Sequence, residues 1–363
     1  MENTFISKIH INNVRHIKDF DIPISDTERK HLIITGKNGS GKTSLLEVLY
    51  DERNKSYNDS LNVSYSNNIE NKNYFRSEKF VFLYFQAQKT TDKFKEYENH
   101  EYYDAEGTWS SSFIHHNFLQ YLVDLKIVAL YEKEKGNLDK DVEIKTWFSL
   151  FEKQISTLFQ EDTQLLFERP NHGTFTFYFM QKNKLPFNMN EMPAGYHVLF
   201  CLVAELVLRS KHEIYKSKDF EGIVLIDEIE THLHVDLQKK VLPFLTAFFP
   251  KIQFIVTTHS PFVINSISNA VVCDLEKRIV MEDLSGYSYK AVIENYFGND
   301  LYSDEVKKKI GRYEYLSLKD TLNDDEEREI DLLELFFDSV PKSNELLIKI
   351  QEIQINLLTK MRA

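Results

Sequence analysis

Hydrophobic and polar positions along the chain fall into two kinds of pattern, and their order predicts a sheet interrupted by helical segments. Phe5–Ile11 alternates about every second residue and Phe20–Ile24 follows a polar turn, so the pair reads as a hairpin. Continuous apolar runs of strand length stand at His31–Thr35, Phe80–Phe85, Gly222–Ile226 and Ile252–Val256. Such runs suit parallel strands covered on both faces. From Asp51 to Lys79 the chain is rich in Asn, Ser and Tyr, which reads as an exposed excursion. Apolar residues return at helical spacing between about Thr91 and Arg169, first through Phe118, Leu122, Leu125 and Val128, then through Trp147, Phe151, Ile155 and Leu158. Thr174–Phe179 alternates as a strand, Tyr196–Leu208 reads as an apolar helix, and a helix near Val235–Phe249 joins the last two parallel strands. Beyond Met281 the pattern changes to charged helices at Ser303–Tyr315, Asp324–Phe337 and Glu345–Met361. The expected fold is therefore α/β, with a sheet domain from residues 1–90 and 170–281, an inserted helical lobe at 91–169 and a C-terminal helical region at 282–363.

Composition narrows the function classes. Among 363 residues, 44 Lys and Arg face 56 Asp and Glu, for a net charge of −12. That balance disfavours a whole-surface grip on nucleic acid and leaves only a local basic groove. The most concentrated positive run is Lys307-Lys308-Lys309-Ile310-Gly311-Arg312, with the pair Lys239-Lys240 second, and both read as solvated helix faces. Asp324–Glu327 likewise reads as an acidic helix start. Cys201 and Cys273 sit in apolar surroundings, which fits core packing in a reducing compartment. The N-terminus does not read as a signal peptide and no apolar run reaches the roughly 18–20 residues of a membrane span, so the expectation is a cytoplasmic chain without a membrane anchor.

The most specific signal is Gly36-Lys37-Asn38-Gly39-Ser40-Gly41-Lys42-Thr43, a match to G-x-x-x-x-G-K-[ST]. The chain holds only 11 glycines, and three of them fall in this loop. An apolar strand precedes it and the helical run Ser44–Tyr50 follows, which is the order a triphosphate cradle requires. Glycines let the loop turn its N–H groups inward, and the helix N-terminus adds partial positive charge. Gly36, Asn38, Gly39, Ser40, Gly41, Lys42, Thr43 and Ser44 are thus the candidate ATP-binding residues. Lys42 is expected to bridge the β- and γ-phosphates, and Thr43 to hold Mg²⁺ through its hydroxyl.

A second signal is Ile223-Val224-Leu225-Ile226-Asp227-Glu228, a buried strand closing on two carboxylates. Asp227 suits the Mg²⁺ shell, and Glu228 suits a base polarising the attacking water. In Phe254–Pro261 another apolar strand ends in a polar turn bearing His259, which suits contact with the γ-phosphate or the water.

This ordered set resembles the ABC-type ATPase head of the SMC, RecF and OLD superfamily over roughly Phe5–Leu275. The resemblance implies a homodimer that sandwiches ATP between two heads, with higher assembly possible. It also implies that the family's signature loop falls at Met192-Pro193-Ala194-Gly195-Tyr196. There Gly195 keeps the backbone able to approach a γ-phosphate, whereas Pro193 stands where the family has a serine hydroxyl. By the same resemblance Gln86 or Gln88 joins the Mg²⁺ shell, the position just after the strand favouring Gln86. Ile229–His234 falls where the family places a dimer-contacting turn, so His232 and His234 are expected to serve an interface or a cap rather than a metal. Arg15 is placed near the nucleotide. Tyr84-Phe85-Gln86-Ala87, the Pro-Ala-Gly-Tyr loop and the run from Asp227-Glu228 to His234 are most similar to small ATPases of bacterial anti-phage systems of the Septu type. That likeness implies a Mg²⁺-dependent ATPase gating a separate effector, in the pattern a nuclease. Two other readings stand beside it: a RecF-like DNA clamp using the basic runs, and an ATP-holding switch with slow turnover, suggested by Pro193.

Overall fold

The computed structural model describes residues 4–52, 60–66, 80–86, 111–169, 173, 175–210, 221–288, 291–292, 304–319, 321–339 and 344–361. These divide into two compact units, Met1–Tyr289 and Lys290–Ala363.

The first unit is built on a six-stranded sheet. Its strands, numbered in chain order, are β3 (His31–Thr35), β5 (Phe80–Phe85), β8 (Glu221–Ile226), β9 (Ile252–Thr257), β10 (Ala270–Asp274) and β11 (Ile279–Glu282), in the spatial order β11-β10-β3-β9-β8-β5. Every pairing is parallel except that of β10 with β11. Leu32, Ile33 and Ile34 are fully buried, as are Val224, Leu225, Ile255 and Val256. Each such side chain contributes about 2 kcal/mol of apolar burial, which explains why these segments read as unbroken hydrophobic runs. The start of β3 is pinned to β9 by His31, whose Nδ1 accepts from the Phe254 N–H at 3.0 Å. Burial lowers the His31 pKa to about 4, so the ring accepts this bond as a neutral imidazole.

A three-stranded antiparallel sheet lies against this one through a shared core. It consists of β1 (Ile6–Val14) and β2 (Ile17–Pro23), the expected hairpin, and β4 (Leu61–Tyr65). β4 is a correction: it falls inside the stretch expected to be an exposed excursion. Leu61 is buried and Val63 and Tyr65 pack against the core, so alternate residues give this short polar-looking segment an inward face. Helix α1 (Lys42–Glu52) packs Leu45, Leu46 and Leu49 into the same core.

Helices α2 (Ser111–Glu134) and α3 (Leu138–Phe159) are separated by Gly136 at φ +80°. α3 ends at Gln160, whose left-handed backbone lets its N–H and that of Glu161 cap the last carbonyls. The chain then turns into β6 (Thr163–Glu168), which pairs with β7 (Thr176–Gln181) as a separate hairpin. Thr163–Glu168 is therefore a strand rather than the end of a helical segment, and the hairpin crosses the expected boundary between residues 169 and 170. Helix α4 (Ala194–Ser210) follows. The single helix expected near Val235–Phe249 is two, α5 (Val235–Gln238) and α6 (Val241–Phe248). Pro243 supplies no N–H and its ring opposes the carbonyl four residues back, which prevents one continuous helix. A short helix, α7 (Pro261–Ile264), follows β9.

In the second unit, helices α8 (Asp304–Leu318), α9 (Asp324–Ser339) and α10 (Asn344–Met361) share a core that includes Tyr313, Leu316, Leu333, Phe337, Ile350 and Ile353. The acidic start of α9 is a reciprocal cap: Glu326 N–H donates to Asn323 Oδ1 at 2.9 Å and Asn323 N–H donates to Glu326 Oε2 at 3.1 Å. No helix among the described residues is long and apolar enough to cross a membrane.

Candidate functional site

Because β3, β9, β8 and β5 run parallel and side by side, their C-terminal ends open along one edge of the sheet. That edge is where open α/β sheets bind ligands. The ladder continues just past the strand ends, with Thr258 N–H donating to Ile34 O at 3.0 Å and Asp227 N–H to Phe85 O at 2.9 Å. The loops that follow therefore begin at one level.

After β3, Gly36, Gly39 and Gly41 take φ of +138°, +82° and +97°. A Cβ on Gly36 would lie 2.8 Å from Ser40 Oγ and 3.3 Å from the Glu276 backbone nitrogen, so both conformation and space demand glycine there. The loop is braced by Glu276, which pairs with Lys37 Nζ at 2.8 Å and accepts from the Lys37 N–H at 3.3 Å. Lys42 begins α1 and folds back into the loop, its Nζ donating to Gly36 O at 2.8 Å and Lys37 O at 3.2 Å. Burial lowers the Lys42 pKa, and the nearby carboxylates of Glu228, Asp227, Glu230 and Asp274 oppose that shift. Ser44 Oγ accepts from Arg15 Nε at 2.5 Å, which brings the β1–β2 turn to the first turn of α1.

At the end of β8, Asp227 is buried, and both of its oxygens accept hydroxyl protons. Oδ2 receives Thr43 Oγ1 at 2.9 Å and Oδ1 receives Thr257 Oγ1 at 2.5 Å. Glu228 has φ +48°, unusual for a residue with a Cβ. Its N–H donates to Thr257 Oγ1 at 2.7 Å, and its Oε2 accepts from Thr231 Oγ1 at 3.4 Å. After β9, the His259 N–H donates to Glu230 Oε1 at 2.6 Å, while His259 Nε2 is buried without a hydrogen-bond partner. Ser260 caps α7 by accepting from the Phe262 N–H at 3.1 Å.

The structure thus brings together Lys42, Thr43, Asp227 and Glu228, with His259 tied to the same acidic turn through Glu230. Gln86 is exposed immediately after β5, the edge strand beside β8; Gln88 lies outside the described residues. Gly195 is placed elsewhere, in the first turn of α4, where a Cβ would lie 2.7 Å from Leu237 Cδ1 and 3.6 Å from His232 O. The carbonyl of Pro193 accepts from the N–H groups of Tyr196 and His197 at 3.0 and 3.2 Å, so this residue starts the helix. His234 stands at the N-cap of α5 without a side-chain cap bond, and His232 is exposed with φ +66°. No three His, Cys, Asp or Glu residues among those described gather into a metal-binding group. Thr257 and Glu230 carry contacts at this edge that sequence reasoning assigned to neither. The visible signal for Thr257 is polarity at the end of an otherwise apolar strand, and Glu230 lies in the polar turn four residues beyond the end of β8.

The basic runs engage acids and carbonyls within their own units. Lys307 pairs with Asp304 at 3.6 Å and Lys309 with Glu305 at 3.3 Å, while Arg312 binds both oxygens of Glu329 at 3.0 and 2.7 Å. Lys240 Nζ donates to Leu158 O at 2.9 Å.

Residues 55–265, more than half of the chain, match the family described as "AAA domain, putative AbiEii toxin, Type IV TA system". The chain belongs to this AAA-domain family. The matched stretch contains the acid pair and His259 and begins after the glycine loop. This AAA-domain chain is 26% identical over 311 residues to the Septu protein PtuA of Bacillus mycoides (strain KBAB4), covering 76% of the chain and 41% of that protein. It is 37% identical over 93 residues to the "Retron Ec83 probable ATPase" of Escherichia coli, covering 25% of the chain and 17% of that protein. The chain therefore spans less than half the length of these curated relatives. The SMC head domain from Thermotoga maritima aligns with a TM-score of 0.40 and 13% identity, over 74% of this chain and 94% of that one. The resemblance to Septu-type ATPases expected from the motifs is thus met by a relative of that name, on a mostly parallel α/β sheet with its phosphate-loop motif after β3.

Proposed function

We propose that this chain is the ATP-binding and ATP-hydrolysing subunit of an anti-phage system, acting as a homodimer that gates a separate effector nuclease. The observation that carries the reading is the 2.9 Å contact between Thr43 and Asp227, which joins the glycine loop to the acidic strand end. The donor set fits Mg²⁺, since the Thr43 hydroxyl and the Asp227 carboxylate are hard oxygens on adjacent loops, and Gln86 supplies another at the next strand. Mg²⁺ held there supplies charge neutralisation to the β- and γ-phosphates.

The remaining roles follow from the chain's own groups. Lys42 exchanges its contacts with Gly36 O and Lys37 O for phosphate oxygens, which restores the charge stabilisation that burial takes away. Glu228 orients and polarises the attacking water, and His259 presents its unpaired Nε2 to the γ-phosphate side. The loop amides of Asn38, Gly39, Ser40 and Gly41 line the phosphates. The homodimer rests on the motif resemblance, in which Gly195 of one copy approaches the nucleotide of the other. Septu and retron relatives support the defence assignment.

Purified chain should release phosphate from ATP only with Mg²⁺, and both Lys42→Ala and Glu228→Gln should strongly reduce that release, the first through binding and the second through chemistry. Turnover persisting unchanged in both variants overturns the reading. Copurification of the native complex tests the effector, and a nuclease is the expected companion.

A further inference from the structure

The Thr257 hydroxyl lies between the two acids at the end of β8. It is fully buried at the last position of β9, donates its one proton to Asp227 Oδ1 at 2.5 Å and accepts the Glu228 N–H at 2.7 Å. The Thr257 carbonyl accepts from the Ile229 N–H at 3.1 Å, so one residue grips three consecutive positions of the acidic turn. Two consequences follow from donor and acceptor counting. With Oδ1 engaged by Thr257, the Asp227 carboxylate presents Oδ2 to Thr43. With its N–H satisfied inside the protein, Glu228 is held at φ +48°, a backbone region that a residue with a Cβ leaves when nothing holds it.

We infer that Thr257 is a positioning residue that sets the orientation of both carboxylates, fixing which oxygen of Asp227 faces the Mg²⁺ position and where Glu228 points. The inference rests on the Mg²⁺-ATP reading of this edge. A hydroxyl is necessary and its methyl group is not. Removing the hydroxyl frees the Asp227 carboxylate to rotate and leaves the Glu228 N–H buried without an acceptor. Outer partners of metal ligands typically change metal affinity about 10- to 100-fold, and that range is expected here.

The test is binding of a fluorescent ATP analogue to the full chain, first in EDTA and then across a Mg²⁺ titration, for wild type, Thr257→Val, Thr257→Ala and Thr257→Ser. Valine keeps the β-branched shape, and alanine serves as the second hydroxyl-free variant should valine not fold. Serine restores the hydroxyl alone. The expected result is unchanged binding in EDTA for all four proteins, with half-saturating Mg²⁺ raised at least about tenfold in the Val and Ala variants and within about twofold of wild type in Ser. A wild-type Mg²⁺ titration in the Val or Ala variant overturns the inference alone. So does a Ser variant that behaves like Val. Wild type that binds no analogue, or binds it without regard to Mg²⁺, overturns the functional reading and the inference with it.

Discussion

Two loops at the same sheet edge reach left-handed backbone conformations by opposite means. In the loop after β3 the positive φ values belong to Gly36, Gly39 and Gly41. In the turn after β8 they belong to Glu228 at +48° and His232 at +66°. In the proposed reading the first loop offers backbone N–H groups to phosphates, and the absent side chains allow close approach of that ligand. In the proposed reading the second presents a carboxylate, so glycine would not serve, and its left-handed backbone is held by hydrogen bonds: Glu228 N–H to Thr257 Oγ1, Ile229 N–H to Thr257 O, and Thr231 N–H to Glu228 O at 2.9 Å. Where function lies in the backbone, the residue type relieves the strain. Where it lies in the side chain, neighbours must hold it.

Glu228→Gln gives the sharpest test of that division, because it keeps the turn and removes the charge. Single-turnover measurements should show hydrolysis reduced about 10²- to 10⁴-fold, with ATP affinity nearly unchanged. Equal loss of both would mean that the side chain serves the turn rather than the chemistry. Lys42→Ala should act on binding instead, lowering ATP affinity about 100-fold in equilibrium titrations through the loss of charge-assisted bonds. Retained affinity would remove the glycine loop from the proposed site.

Gly36→Ala probes the backbone side of the comparison. Its methyl group would meet Ser40 Oγ at 2.8 Å on a backbone of φ +138°, so denaturant unfolding should report a loss of about 2 kcal/mol. A neutral result would show that the loop relaxes freely. The smallest effect, of opposite sign, is expected at His232, which is exposed at φ +66°. His232→Gly should raise stability by about 1 kcal/mol and leave ATP binding as it was. Lower stability would mean that the His232 side chain, rather than the surrounding hydrogen bonds, holds the end of the turn.

Much of this edge was legible because its signals are local. A G-x-x-x-x-G-K-T run between an apolar strand and a helix, four apolar residues closing on Asp227-Glu228, and a strand ending near His259 are each contained in a short window. β4 was hidden because its inward face is only Leu61, Val63 and Tyr65, and it becomes a strand by pairing with β1. β6 was hidden by the helix before it, whose end depends on the left-handed Gln160. The break at Lys239-Lys240 was readable in principle from Pro243, yet the apolar spacing on either side suggested one helix. Thr257 reads as one more residue of a buried strand until β8 is laid beside β9.

Which residue types could do chemistry, and which strands lead to them, is written along the chain, since glycine spacing, apolar runs and terminal acids are properties of neighbours in sequence. Tertiary structure alone decided their partners. Thr43 and Asp227 are 184 positions apart, and Thr257 and Asp227 are 30 apart. Those contacts exist because β3, β9 and β8 are adjacent and parallel, and strand order is a packing outcome that no short window of sequence contains.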